Sequence, residues 1–420
     1  MDATLGRYRK LKDKLPDKYR GIDISQVLAV YLWVWAEAKA IEGVEENETE
    51  QALDLSFLQG IDKSKIIYFD IDRKDHQSTF NGICSSLNDD YKVIDIAFNV
   101  KYKQHRTVVN KWLSRFYVRA SQRQCQLTKR EREQLSYRVC LVLNTIDELY
   151  AMKKQLSHVT HFVSYSAIHP WGNMLCQFFR LQHAKVFGLS HAVHYIYTDN
   201  VPIHCLNYEN LDVDYSLVWG QYTKDEYLRY GVKAKEILVA GYPKKIEVQQ
   251  TKNANELKSC LVLLSNPDYD ATNRKLLTML SVLANLFTYS LKLHPSCNYE
   301  YYSHWAARVG MYIIGKDVQL TECFDKEKYD FAIAVNTTSY YEIMAAGIPC
   351  LRYRDDEAYQ MTYGAEEDMF ATAEEFARAL EWLRGGIEGG TYDDVARHTL
   401  HYAMGIGENK YREILSTDER

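Results

Sequence analysis

Short unbroken apolar runs alternate with amphipathic stretches along most of the chain. Residues 65–70, 92–98, 161–166, 185–190, 214–220 and 236–243 are such runs. A short run that does not alternate fits a strand buried on both faces of a parallel sheet. Helical spacing falls between them, over 78–87, 129–154 and 174–183, and over a segment that Thr223 can cap and Gly231 ends. A helix is also expected from about Asp23 or Ser25 to Ile41, then an acidic loop over 42–50. A polar stretch, 244–257, reads as a linker. Beyond it the pattern restarts, with strands at 260–265, 288–293, 311–314, 330–335 and 350–353 and helices at 273–287, 298–309 and 372–384. Gly385, Gly386, Gly389 and Gly390 are expected to break the chain before a final helix from about Tyr392. The alternation predicts α/β layers with parallel sheets.

In an open parallel sheet, ligands bind beyond the carboxyl ends of the strands. In the first half that rule singles out Asp70, at the end of one run, and His169, His191 and His194, at the ends of two others. Asp70-Ile71-Asp72 has the spacing of a metal-binding carboxylate pair, and a plain loop pair is the alternative. In the second half, His294-Pro295 follows a strand. Asn336-Thr337-Thr338-Ser339 follows another, with Glu342 one turn into the next helix, Gly347 at its end and Pro349 beyond. Hydroxyls at a helix start can cap it, and its free amides attract anions. The same residues also suit an ordinary capped βαβ crossover.

Composition narrows the classes. The chain has 420 residues, 46% hydrophobic and 25% charged, which is globular. Its net charge of -5 argues against a nucleic-acid partner. Residues 101–138 break that balance, with eleven Lys or Arg against Glu131 and Glu133. Contact with an anionic acceptor or an anionic membrane surface is one reading, and a solvated helical face is the other. Nine cysteines stand singly with no CxxC pair, which disfavours disulfides and zinc and points to a reducing, cytoplasmic compartment. No signal peptide opens the sequence. The apolar run 27–36 is about half the roughly 20 residues that span a bilayer, so it reads as a buried helix.

Three motifs carry a resemblance. Leu291-Lys292-Leu293-His294-Pro295, the run Thr337-Thr338-Ser339 with Glu342 and Gly347-Ile348-Pro349, and Gly220-Gln221 with Tyr230-Gly231-Val232 and Gly241-Tyr242-Pro243 resemble bacterial surface-polysaccharide transferases of the GT-B glycosyltransferase class. These include the sialyl-, polysialyl- and Kdo-transferases and the CDP-glycerol phosphotransferases. Leu189-Ser190-His191-Ala192 matches their strand-then-His-Gly motif with Ala192 in place of Gly. The resemblance covers about residues 160–385. It implies two Rossmann-like domains facing a cleft: 1–250 for the acceptor, 251–390 for the nucleotide sugar, and a C-terminal helix in 391–420 packed back on the first. It also implies a metal-independent, inverting glycosyltransferase with no cofactor. The expected location is cytoplasmic, peripheral at the inner face of the membrane where 101–138 meets an anionic surface. The partners would be a nucleotide-sugar donor and a glycan or lipid-linked glycan acceptor. His294, Pro295, Asn336, Thr337, Thr338, Ser339 and Glu342 would hold the donor. The base would come from His191 or His194, then Asp70, Asp72 or His169. Alternatives are a CDP-polyol phosphotransferase, whose motif carries an Asp where Asn336 stands, a nucleotide-sugar 2-epimerase, and a non-enzymatic binding protein on the same scaffold.

Overall fold

The computed structural model describes residues 3–15, 18–37, 51–87, 89–105, 107–125, 127–165, 167–198, 201–232, 237–251, 256–325, 328–355 and 362–416, with backbone only for 120–124. The acidic run 42–50 and linker residues 252–255 lie outside them. The chain forms two compact units. The first is Met1–Trp219, Thr223–Lys244 and Asn409–Arg420, and the second is Gly220–Tyr222 and Lys245–Glu408.

The first unit is built on six parallel strands: β1 (Lys65–Phe69), β2 (Tyr91–Asp95), β3 (His161–Tyr165), β4 (Lys185–Leu189), β5 (Tyr215–Val218) and β6 (Ile237–Val239). Their spatial order is β2-β1-β3-β4-β5-β6. Every residue of β1 and β3 is buried, the polar Lys65, His161 and Ser164 included, as central strands covered on both faces are. The order reverses between β1 and β3, so the crevice for a ligand opens at their carboxyl ends. Residues 24–36 form two helices, Ile24–Val27 and Ala29–Ala36, joined at Leu28. Asp23 caps the first, accepting from the amides of Ser25 and Gln26. The apolar run is buried, with Trp33 against Tyr8 (ring centroids 5.4 Å apart). Among the described residues no helix is long and apolar enough to cross a membrane.

Local expectations shift in several places. The helix placed at 78–87 is Lys74–Cys84, and the one placed at 174–183 is Pro170–Leu181, because Pro170 is suited to the first helical position. Thr223 does not cap its helix, Gln221–Tyr230. It lies buried in the first turn and binds the backbone of His194 instead. Gly385 and Gly386 do not break the chain, since the helix Ala373–Glu388 runs through them. Its apolar face, Phe376, Ala379, Leu380 and Leu383, is buried, which offsets a cost of about 1 kcal/mol per glycine.

The second unit repeats the plan with β7 (Ser259–Leu263), β8 (Thr288–Lys292), β9 (Tyr312–Ile313), β10 (Phe331–Ala334), β11 (Cys350–Tyr353) and β12 (Met369–Phe370). The order is β9-β8-β7-β10-β11-β12, all parallel, which is the dinucleotide-binding Rossmann order. Its reversal lies between β7 and β10. After the helix Tyr392–Met404, Gly405 turns the chain at φ 62°, and a last helix, Tyr411–Ser416, belongs to the first unit. There Tyr411 and Leu415 are buried with Phe69, Phe80 and Val163. The Tyr411 hydroxyl donates to the Gly241 carbonyl (3.0 Å), and the Tyr91 hydroxyl donates to that of Leu415 (2.7 Å).

Gly347 sits at φ 80° between the helix Ser339–Ala345 and β11, and a Cβ there would lie 2.7 Å from the Gln250 carbonyl oxygen. Gly347→Ala combines a left-handed backbone with that collision. We expect at least about 1–2 kcal/mol of lost stability, read as a lower urea midpoint. An unchanged midpoint would contradict the packing.

Candidate active site

The site in the first unit grows from the carboxyl ends of β1, β3, β4 and β5. Asp70 follows β1. The helix Lys74–Cys84 comes next and carries His76 in its first turn. Gly82 lets that helix approach closely, since a Cβ there would meet the Pro243 carbonyl oxygen at 2.8 Å. His169 is the residue before the helix Pro170–Leu181, and its side chain makes no capping hydrogen bond. Beyond β4 the chain lies without regular structure through His191 and His194. Here Thr223 acts as a clamp, its hydroxyl accepting from the His194 amide and donating to the His194 carbonyl, both at 3.0 Å.

The imidazoles meet. His191 lies 5.0 Å from His76 and 4.9 Å from His194, centroid to centroid, and 6.4 Å from Tyr165. Burial sets their charge. It lowers His76 and His169 to about 4 and His194 to about 3, and holds His191 well below its ordinary range. Neighbouring imidazoles push His76, His191 and His194 further down. All four rings are therefore neutral at pH 7. Asp70 moves the other way, and burial raises it to about 7 although the Tyr68 hydroxyl donates to Oδ2 (3.2 Å). Asp70 and the imidazoles occupy the same edge of the sheet, and no described hydrogen bond joins them. Asp72 is exposed. Among the described residues no group of three or more His, Cys, Asp or Glu is arranged to hold a metal ion.

Among the polar atoms enclosed on this edge without a hydrogen-bond partner among the described residues are His76 Nδ1 and the Trp219 indole nitrogen beyond β5. Buried polar atoms are nearly always paired, so such a group marks a place where a ligand or water completes the bonding. His76 and Trp219 are not legible as site residues from the chain. With the helix placed at 78, His76 reads as a loop residue. Its position just past a buried strand, beside Asp70 and Asp72, was the available signal.

In the second unit the edge is knitted by one serine. The amide of Ser265, beyond β7, donates to Asn273 Oδ1 (3.1 Å), and its carbonyl accepts from Asn273 Nδ2 (3.0 Å). That carbonyl also accepts from the Cys297 thiol (3.3 Å) in the turn after His294, while the Ser265 hydroxyl donates to the Asn336 carbonyl (3.3 Å). Ser265 thus ties the loop after β8 to the loop after β10. His294 Nδ1 accepts from the Ser296 amide (3.2 Å), which places the proton of the neutral ring on Nε2. Pro295 is exposed.

Asn336 has a left-handed backbone at φ 37°, unusual outside glycine. Its side chain holds the strain, as Nδ2 donates to the Tyr269 hydroxyl (2.7 Å) and Oδ1 accepts from the amide and hydroxyl of Thr362 (3.2 and 3.1 Å). These bonds occupy Asn336 in shaping the loop. Thr337, Thr338, Ser339 and Glu342 are half-buried. Thr338 is the residue before the helix and makes no capping bond, whereas the Thr337 hydroxyl accepts from the Ser339 amide (3.3 Å). A buried ion pair braces the far side: Arg352 donates to Asp368 (2.5 Å) and to the carbonyls of Thr362 and Ala365, and the Tyr340 hydroxyl donates to Asp368 (2.6 Å). Ser265, Tyr269, Asn273 and Thr362 carry no motif and emerge only from the packing.

No family model matches the sequence, and no curated protein matches it. The solved structures that resemble it are distant. S. aureus MnaA with UDP is 12% identical, with 83% of this chain on 94% of that one at a TM-score of 0.49. A glycosyltransferase from Rickettsia africae ESF-5 is 13% identical, with 85% on 100% at 0.49. The lipopolysaccharide outer core galactosyltransferase WaaB is 12% identical, with 84% on 96% at 0.47. TarM is 12% identical at 0.42, and the chain spans 55% of its length. Likeness this distant carries no conclusion about activity.

The depressed histidines make stability depend on pH. An unfolded histidine takes its proton near 6.5, while His76 and His169 in the fold wait until about 4. The unfolded chain then binds more protons in that window, so stability falls as pH drops from 6.5 toward 4, by on the order of 3 kcal/mol per such histidine. Asp70 opposes this, because its raised pKa makes the fold take up a proton first. Four histidines outweigh one carboxyl. The melting temperature should fall between pH 6.5 and 5, and His169→Gln should flatten that fall. An equal slope in wild type and variant would refute the buried, neutral assignment.

Proposed function

We propose that the chain is an inverting, metal-independent glycosyltransferase that moves a sugar from a nucleotide-sugar donor to the hydroxyl of a glycan or lipid-linked glycan. The observation that carries this reading is the divergence of charge states at the first unit's edge, where Asp70 is raised and four imidazoles are lowered around unpartnered polar atoms. Titratable groups pushed apart by their environments are the mark of acid–base work. The second unit adds the Rossmann order and a loop edge bearing His294, Thr337, Thr338, Ser339 and Glu342, which would hold the donor.

In this reading the acceptor oxygen attacks the anomeric carbon and forms the new glycosidic bond. Its proton passes to a carboxylate or imidazole of the first unit. The bond from the anomeric carbon to the phosphate oxygen breaks, and its electron pair leaves with the nucleotide. His294 Nε2–H and the loop hydroxyls would donate to that departing phosphate, as donors aimed at developing charge do. Asp70 is the better base. A carboxyl near 7 is about half ionised at neutral pH and strong enough to take the proton, while imidazoles near 3 to 4 are weak bases. His191 and His194 then serve as neutral hydrogen-bond partners that orient the acceptor.

Thermal shift against UDP-, CMP-, GDP- and CDP-linked compounds should give one clear stabiliser, and His294→Ala should remove the shift. A flat response across the panel would sink the reading. With a substrate pair in hand, Asp70→Asn should keep the shift and lower turnover by about 10²–10⁴-fold. The wild-type rate should drop about tenfold per pH unit below 7. A limb near 4 instead would return the base to the histidines.

A further inference from the structure

The helix Val108–Cys125 turns part of its apolar surface outward. Its buried positions are Asn110, Ser114 and Val118, one turn apart. They face the helix Lys129–Ala151, where Asn110 Nδ2 donates to Asn144 Oδ1 (2.9 Å) and to Asp147 Oδ2 (2.7 Å). Leu113 and Tyr117 pack against the core beside Val118, while four other bulky apolar side chains face solvent. Val108 is 83% exposed, Val109 64%, Trp112 67% and Phe116 59%, and the Trp112 and Phe116 rings stack at 6.3 Å. Arg115 and Arg119 are exposed as well. At about 100° per residue these six positions fall within an arc of about 120°. A helix folded against water turns the opposite way, with its apolar stripe inward. Phe98, Val100 and Tyr102, just before it, are also among the exposed large apolar residues.

We propose that this face seats on the headgroup region of an anionic lipid bilayer. Trp and Phe are the side chains that settle at the acyl–headgroup boundary, and arginines beside them reach lipid phosphates. The charge favours lipid over a second copy of this chain. The helix Val108–Cys125 itself carries four basic residues, Lys111, Arg115, Arg119 and Arg123, and no acidic one, in a chain whose total is -5. Two such faces would repel, whereas an anionic surface draws this one in and orients the molecule. This face is independent of whichever reaction the protein performs.

Flotation with vesicles tests it. The full chain should float with phosphatidylcholine vesicles containing phosphatidylglycerol and stay behind with phosphatidylcholine alone. Trp112→Ser with Phe116→Ser should lower the bound fraction at least about tenfold, and Arg115→Glu with Arg119→Glu should abolish it. All four substitutions touch exposed side chains. Quenching of tryptophan fluorescence by brominated lipid reads the same contact in the unaltered protein, and quenching is expected. Failure of the wild type to float with the anionic vesicles would overturn the proposal. So would variants that float like wild type, or a dimer in solution that Trp112→Ser disperses while no vesicle is bound.

Discussion

A strand that pairs in parallel with its neighbour must send the chain back across the sheet before it can pair again. Both units obey this constraint with six strands each, and much else follows from it. Every crossover returns to the same edge, so all carboxyl ends in a sheet open one way. Where the order reverses, two neighbouring loops part to opposite faces and leave a crevice. In the first unit that place is between β1 and β3, which puts Asp70 and His169 in the loops that follow two neighbouring strands. In the second it is between β7 and β10, which brings Ser265 against Asn336 (3.3 Å).

The two edges are unlike in their electrostatics. The first is incompletely bonded, and partial burial pushes the carboxyl and the imidazoles apart. The second is saturated. Asn336 spends its whole side chain on Tyr269 and Thr362, and Arg352 spends its guanidinium on Asp368 and two carbonyls. Those bonds hold a left-handed asparagine and present the following hydroxyls in one arrangement. The helix Val108–Cys125 obeys neither logic, since its outward aromatics serve no part of the core.

Strand content was legible because burial on both faces leaves no polar position to disguise the run, as in Ile66-Ile67-Tyr68-Phe69. Helix ends were less so. Gly385 and Gly386 read as breakers by local propensity, but the buried face of Phe376 and Leu383 overrides it. Thr223 reads as a cap, yet the His194 backbone takes its hydroxyl first. The helix at Lys74 was read as beginning at 78, and that displacement hid His76 from view.

The chain by itself determined the parallel α/β class, the restart after the 244–257 stretch and the placing of Asp70, His169, His191, His194 and His294 at strand ends, because periodicity and strand polarity are local properties. It also showed that 101–138 is basic. Only the tertiary structure decided which imidazoles meet, that burial lowers them while raising Asp70, that Ser265 joins the loops of His294 and Asn336, and that Trp112 and Phe116 point outward. Those depend on the distance between residues far apart in sequence and on how much water remains around them, and neither quantity is written in any one segment.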